Sequence, residues 1–320
     1  MKKHIIKLFS LLFILFSINT TSNAIFSYQS TKALNEEITS VVISEVYGGG
    51  GESSGPYKYD YIELYNNSDS VIELNGWYVH YGASTTDLNY KTPLSGSILP
   101  RSFYLIKELG TGTNGLELPL PEISGSITMA RGAFKVALTN NDVKPTTVND
   151  INVIDFIGAG SANMYEGSIA PYGSVTESLQ RVISEGVAID TNDNGNDFKL
   201  GVPSPMNSAL SVASKIMAED EALQCITKYP EVKSLLGYLS VNQLNYFQND
   251  NENMLLISAR ERYNAWSLYH NDNEAYPLIN QIRTNDYDQS ELSVIAIVLI
   301  GVLGLTTIIL YYFINKKKIK

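Results

Sequence analysis

VVISEVYGGGGESSGPYKYDYIELYNNSDSVIELNGWYVHY, residues 41–81, is the stretch whose reading decides the fold. A β-branched run over 41–47 leads into four glycines at 48–51. A second run covers 59–65, a polar turn covers 66–70, and a third run covers 71–81. Strand formers of strand length between turn formers specify β-structure. In the second run Ile62 and Leu64 share one face, with Tyr61, Glu63 and Tyr65 on the other. In the third, Trp77, Val79 and Tyr81 share a face opposite Tyr78 and His80. A period of two predicts a half-buried antiparallel sheet with one wetted side.

Outward from there the same texture continues. Residues 82–96 are rich in Thr, Ser, Gly and Asn and read as a connection. Pro100 marks the turn before a strand at 103–106, and 110–125 reads as irregular. Further strands are predicted at 134–138, 151–157 and 178–183. Seven or so short strands point to an immunoglobulin-like β-sandwich over 41–206, giving a mainly β chain. From about residue 209 apolar residues recur at three and four. Leu235, Leu236, Leu239 and Leu244 fit one helix or two, and Leu256, Ala259, Tyr263 and Trp266 fit another. A small α-helical spacer unit is expected over 209–282, with Glu252, Arg260, Glu261 and Arg262 toward solvent.

Both ends carry targeting signals. Lys2, Lys3 and Lys7, the apolar run 8–18 and Ser22-Asn23-Ala24 predict a signal peptide over 1–24, followed by a leader over 25–40. Residues 292–314 hold no charged side chain, enough for one transmembrane helix. Lys316, Lys317, Lys318 and Lys320 in the tail, 315–320, should stay cytoplasmic. The expectation is a single-pass type I cell-membrane protein with an extracellular ectodomain. The net charge is −10. Without the three signal-peptide lysines and the four tail lysines the ectodomain's is seven lower, −17. That disfavours non-specific nucleic-acid binding, keeps the surface soluble and makes divalent cations plausible partners. A single cysteine, Cys225, excludes an intrachain disulfide, so stability must come from core burial. Its helical spacing suits a small buried hydrophobe, with an interchain thiol as the other reading.

Residues 43–46 (ISEV), 62–66 (IELYN) and Leu74-x-Gly76-Trp77 resemble the opening of a lamin-tail domain in the form found in secreted bacterial proteins. Ile98-Leu99-Pro100, Val136-Ala137-Leu138, Asp155-Phe156-Ile157-Gly158, Ser178-Leu179-Gln180-Arg181 and the stretch 190–198 continue the order, so the likeness covers about half the chain. The resemblance implies an immunoglobulin-like sandwich that is not itself an enzyme. In bacteria such modules sit on secreted or surface proteins, often beside hydrolases. Tethering to DNA, membrane or polymer has been suggested for them. No hydrolase domain accompanies the module in this sequence, and the two targeting segments contradict a nuclear role.

Candidate chemistry is sparse. The glycine run lacks the Lys-Ser/Thr and the following helix of a phosphate loop, so it reads as a flexible or tightly turned loop. Asp190, Asn192 and Asn194, with Gly195, match the first half of a calcium loop. Gly201 stands where the closing bidentate acid belongs, and Asp197 would have to substitute for it. The preferred reading is an Asn/Asp-rich turn, with calcium the possible cofactor. Glu45 and Glu63 lie on neighbouring predicted strands, and the wetted face is preferred over acid–base or metal chemistry. His80 reads as a surface residue, and no HExxH or Cys/His zinc spacing is present. Among 21 tyrosines, Tyr47, Tyr57, Tyr59 and Tyr61 crowd the first loop and second strand as a candidate binding surface, with cross-strand pairing the competing reading. The function these features favour is a membrane-anchored extracellular binding, adhesion or tethering protein with no catalysis and an unidentified polymer or protein ligand. The alternatives are a self-assembling cell-envelope protein and a hydrolase-associated surface protein.

Overall fold

The computed structural model describes residues 41–218 and 221–276. The expected signal peptide, leader, transmembrane helix and cytoplasmic tail lie outside the described residues. No helix among those described is long and apolar enough to cross a membrane.

The described chain is mainly β, as expected for the immunoglobulin-like class. Its strands are β1 (Val41–Tyr47), β2 (Tyr61–Asn66), β3 (Ile72–Glu73), β4 (Tyr78–Ala83), β5 (Tyr90–Pro93), β6 (Ser97–Ile98) and β7 (Phe103–Leu109). They continue as β8 (Ile123–Thr128), β9 (Phe134–Thr139), β10 (Val153–Gly158), β11 (Ser178–Arg181), β12 (Ile183–Ser184), β13 (Val187–Ala188) and β14 (Phe198–Gly201). One sheet has six strands in the order β14-β11-β1-β2-β7-β8. The other has four, β10-β9-β4-β5, and β12-β13 and β3-β6 form small ribbons. The first sheet contributes Val41, Ile43, Val46, Ile62, Leu64, Tyr104 and Ile106 to the common core. Val79, Tyr81, Phe134, Val136, Leu138 and Ile157 meet them from the second.

The period-two reading puts Ile62, Leu64, Val79 and Tyr81 in the core as expected, but the opposite side is covered rather than wetted, since β2 is buried throughout. Two further corrections concern the bounds. The third run is not one strand. Gly76 at φ +82° turns the chain between β3 and β4, a conformation glycine adopts without a Cβ penalty. The stretch 110–125 is not wholly irregular, because β8 begins within it and lies parallel to β7. In β1 the register against β2 shifts between Ile43 and Glu45, leaving Ser44 as the extra residue of a β-bulge. Ile43 and Val46 therefore both face the core, although an uninterrupted strand would place them on opposite faces.

Helices follow the strands: a single turn, α1 (Asn194–Asp197), then α2 (Ser208–Met217), α3 (Glu221–Tyr238), α4 (Val241–Asn249) and α5 (Met254–Tyr269). The predicted helix faces are the buried ones: Leu235, Leu236, Leu239 and Leu244, then Leu256, Ala259, Tyr263 and Trp266. Arg260 and Arg262 do not simply reach into solvent, since they donate to the backbone oxygens of Phe247 and Ile216. The helices pack onto the sandwich. Leu99, Val71 and Met206 share their hydrophobic core. The Phe103 N–H donates to Ser211 Oγ at 3.0 Å, and Lys215 Nζ reaches Ser102 Oγ at 3.0 Å. Gln243 Nε2 reaches Leu120 O at 2.8 Å.

A shared core predicts one cooperative transition for the sandwich and helices. Leu236→Ala, at a fully buried position, should lower the unfolding free energy by about 2–5 kcal/mol. Urea curves read by circular dichroism and by tryptophan fluorescence should shift together, and separate transitions would contradict the shared core.

Candidate functional site: a buried guanidinium and a glycine-packed loop end

Arg181, at the end of β11, points into the space between the two sheets, and its side chain has no exposed surface. Its guanidinium donates twice to Asp155 of β10, at 2.8 and 2.6 Å, which ties the six-stranded sheet to the four-stranded one. The same two side chains complete β1. The Ile43 N–H donates to Asp155 Oδ2 at 2.6 Å, and Arg181 Nε donates to Ile43 O at 2.8 Å. The pairing of β11 with β1 spans Glu45 and Val46, and the ion pair serves the backbone of Ile43 beyond it. Asp190 and Asp197 also face the guanidinium, at 3.3 and 3.5 Å, and the Phe198 ring lies 4.5 Å from its centre. Burial opposes the charge on Arg181, but the three carboxylates outweigh it and hold the guanidinium above its ordinary value. Glu166 completes the group. Burial, then Asp155 and Asp190, push its carboxyl up to about 8.

The candidate calcium loop is built around this cation. Asp190, Asn192, Asn194 and Asp197 do not present their oxygens to a common ion. Asp197 accepts the Thr191 N–H and hydroxyl at 2.9 and 2.7 Å besides facing Arg181. Asn194 Oδ1 accepts the N–H groups of Gly158 and Glu166, at 2.9 and 3.1 Å. Asn192 is exposed in a left-handed conformation, φ +54°. Asp193, which the pattern did not single out, caps α1 and accepts from the Ser168 N–H at 3.0 Å. Oxygens of Asp155, Glu166 and Asp190 lie within 4.8 Å of one another, but their positive partner is the guanidinium, so the residues present do not fit a calcium loop.

The end of the sandwich near the glycine run is closely packed and hydrogen-bonded. Asp60, fully buried, accepts the N–H groups of Gly50 and Met129 at 2.8 and 2.7 Å and so binds two loops together. Burial pushes its carboxyl up to about 7. A Cβ on Gly50 would stand 2.2 Å from the carbonyl carbon of Tyr59, so the glycines serve close backbone packing rather than flexibility. Tyr47 and Tyr61 are directly opposed on β1 and β2 and have no exposed surface. This corrects the expected tyrosine contact surface, because loop residues Tyr57 and Leu118 pack over that face of the sheet. Tyr57 and Tyr59 remain half-buried, with Lys107 Nζ 4.8 Å from the centre of the Tyr59 ring.

Tyr172 was not anticipated. It is 59% exposed, and its ring rests on backbone where a Cβ at Gly132 or Gly160 would stand 2.5 or 2.7 Å away. Beside it lies a shallow, largely open surface depression lined by Arg131, Gly173, Ser174, Val175 and Thr176. Arg131 pairs with Glu52 at 3.1 Å, and Tyr47 Oη donates to Val175 O at 2.9 Å, so both walls are anchored.

Residues 35–164 match the family model described as Lamin Tail Domain. That stretch is a lamin tail domain. Among solved structures the chain is similar to a DUF4876 family protein from Bacteroides thetaiotaomicron VPI-5482. The identity is 15%, the TM-score 0.36, and the similarity covers 52% of this chain and 72% of the other. No curated protein matches. The Arg181–Asp155 pair joins the lamin tail domain as matched, which contains Asp155, to a strand beyond its matched end.

Two corrections concern residues weighed for chemistry. His80 is not on the surface. It is 1% exposed, its Nε2 has no partner, and burial lowers its basicity. Glu45 and Glu63 are not on a wetted face, being 3% and 2% exposed. The signal that would have found Arg181 and Asp155 was present, since both sit in stretches that carry the family likeness.

Arg181→Met should destabilise the protein by about 3–5 kcal/mol in urea titration, because it strands buried carboxylates. Arg181→Lys should restore little of this, since an ammonium cannot reproduce the fork that serves Asp155 and Ile43 together. With the side-chain oxygens of Asn194 and Asp197 committed to protein donors, millimolar calcium should leave the melting midpoint unchanged. A rise would show the ion displacing the present partners.

Proposed function

We propose that this chain is a membrane-anchored extracellular binding or tethering protein of the bacterial surface type. In this reading its β-sandwich, the lamin tail domain together with the segment after it, presents the glycine-packed loop end to a neutral polymer. The observation that carries the reading is the Tyr172 platform beside its open surface depression. An exposed aromatic face held on glycine backbone, with anchored hydroxyl and guanidinium walls, offers contact area at little cost in ordering. The acidic composition favours an uncharged ligand over a polyanion. A neutral envelope polysaccharide suits both features, because a sugar ring stacks on an aromatic face and its hydroxyls seek Ser174, Thr176 and backbone groups. The expected signal peptide and transmembrane anchor would place the sandwich outside the cell, with the helical unit as the spacer before the membrane.

The full chain in detergent should be retained on neutral cell-envelope polysaccharide and not on double-stranded DNA at physiological salt. Tyr172→Ala should weaken retention about tenfold, equivalent to about 1.4 kcal/mol. Equal retention of the variant, or none of the wild type, would overturn the reading. Oligomerisation through the sandwich without polysaccharide binding would favour a self-assembling envelope protein instead.

A further inference from the structure

Three glutamates stand beneath the connector, residues 203–207, that leads from β14 into α2. Glu45 of β1 lies directly opposite Glu63 of β2. Glu63 lies directly opposite Leu105 of β7, whose N–H donates to Glu122 Oε2 at 2.6 Å. The chain above them is bound at every second residue. The Ser204 N–H donates to Glu45 Oε1 at 3.1 Å, the Met206 N–H to Glu63 Oε2 at 2.7 Å, and the Ser208 N–H to Glu122 Oε1 at 2.9 Å. An extended chain turns alternate N–H groups to the same side, so one carboxylate serves each.

The groups facing this row are polar but not cationic. Tyr61 Oη and Ser178 Oγ each donate to Glu45 at 2.5 Å, with Gln180 Nε2 at 3.2 Å and Ser204 Oγ at 3.3 Å. Ser44, the bulged residue, donates its hydroxyl to Glu63 at 2.6 Å, and the Ser208 hydroxyl donates to Glu122 at 2.6 Å. From the helices, Asn207 and Gln243 donate to Leu120 O, and Gln243 Oε1 is buried without a partner. Lys215 of α2 turns instead to Pro100 O and Ser102 Oγ. Among the described residues no lysine or arginine forms an ion pair with Glu45, Glu63 or Glu122. Like charges directly opposite on a sheet repel, and enclosure strengthens the repulsion.

We propose that this row is a proton-operated latch that holds the connector, and with it the helices, on the sheet in mildly acidic solution and loosens it in alkaline solution. The geometry sets the direction. With a proton on the row, each N–H still has an acceptor and the opposed pair does not repel. With all three carboxylates charged, the row is an anion cluster with no cation beside it, two of its members fully enclosed and Glu122 half-buried under the connector. The titration behaviour agrees. Burial, then Glu45, raise Glu63 well above its ordinary value, and burial raises Glu122 to about 7. A carboxyl raised on folding contributes its stability below the unfolded value, about 4.3, and loses it as pH climbs through the folded one. The latch is independent of what the loop end binds.

Hydrogen–deuterium exchange of the full chain in detergent, at pH 6 and pH 9 and corrected for intrinsic chemistry, tests it through the 203–208 peptide. Protection there should fall about tenfold at the higher pH while peptides of β4 and β9 hold theirs. In Glu63→Gln, which keeps an acceptor for Met206 but removes the charge opposite Glu45, the fall in protection with pH should be smaller, with Glu122 still in place. Should that variant fail to fold, Glu122→Gln should reduce the fall in the same way. Connector protection independent of pH in the wild type, or an undiminished fall in a folded variant, would overturn the latch.

Discussion

The Arg181–Asp155 pair is the interaction on which the rest of the sandwich depends. It crosses between the sheets, completes the hydrogen bonding of Ile43 in β1, and supplies the positive charge around which the loop from Asp190 to Asp197 is wound. A buried charge is tolerated only when paired and hydrogen-bonded, and the Arg181 guanidinium meets three carboxylates and two backbone oxygens. The order of cause runs from the sequence outward. Arginine is needed because its planar fork serves Asp155 and a carbonyl at once, which a lysine cannot do.

The acidic composition takes on a second meaning in this structure. Read as a sequence, the charge of −10 describes a soluble surface. In the fold, Glu45, Asp60, Glu63, Glu108, Asp155 and Asp197 are all at most 3% exposed. Each accepts from a backbone N–H: those of Ser204, Gly50, Met206, Ile127, Ile43 and Thr191 respectively. Four of these carboxylates bind loops or the connector, and Asp155 and Glu108 accept from N–H groups of strands β1 and β8. The absence of disulfides is consistent with such a scheme, since side chains rather than covalent links fasten the irregular parts.

Much of the architecture was legible because it rests on local pattern. The alternation in IELYN and in WYVHY placed Ile62, Leu64, Val79 and Tyr81 in the core, and the three-and-four spacing of Leu256, Ala259, Tyr263 and Trp266 gave the buried face of α5. The site was less legible, because it depends on what covers each face. Tyr47, Tyr61, Glu45 and Glu63 lie on the outer side of their sheet as alternation implies, and the bulge at Ser44 keeps Glu45 there. Nothing in their spacing shows that the connector and the 110–121 loop close over them. The loop from Asp190 shows the same limit. Its residues suit a cation, and the cation turned out to be a side chain from β11.

The most direct test of this account is a double-mutant cycle on the clasp, with Arg181→Met, Asp155→Leu and the pair together measured by urea unfolding. If the two side chains form one buried unit, the double variant is less destabilised than the sum of the single ones, with a coupling of about 2 kcal/mol or more. Additive losses would mean that the guanidinium and the carboxylate act separately and that the sandwich is not organised around their contact.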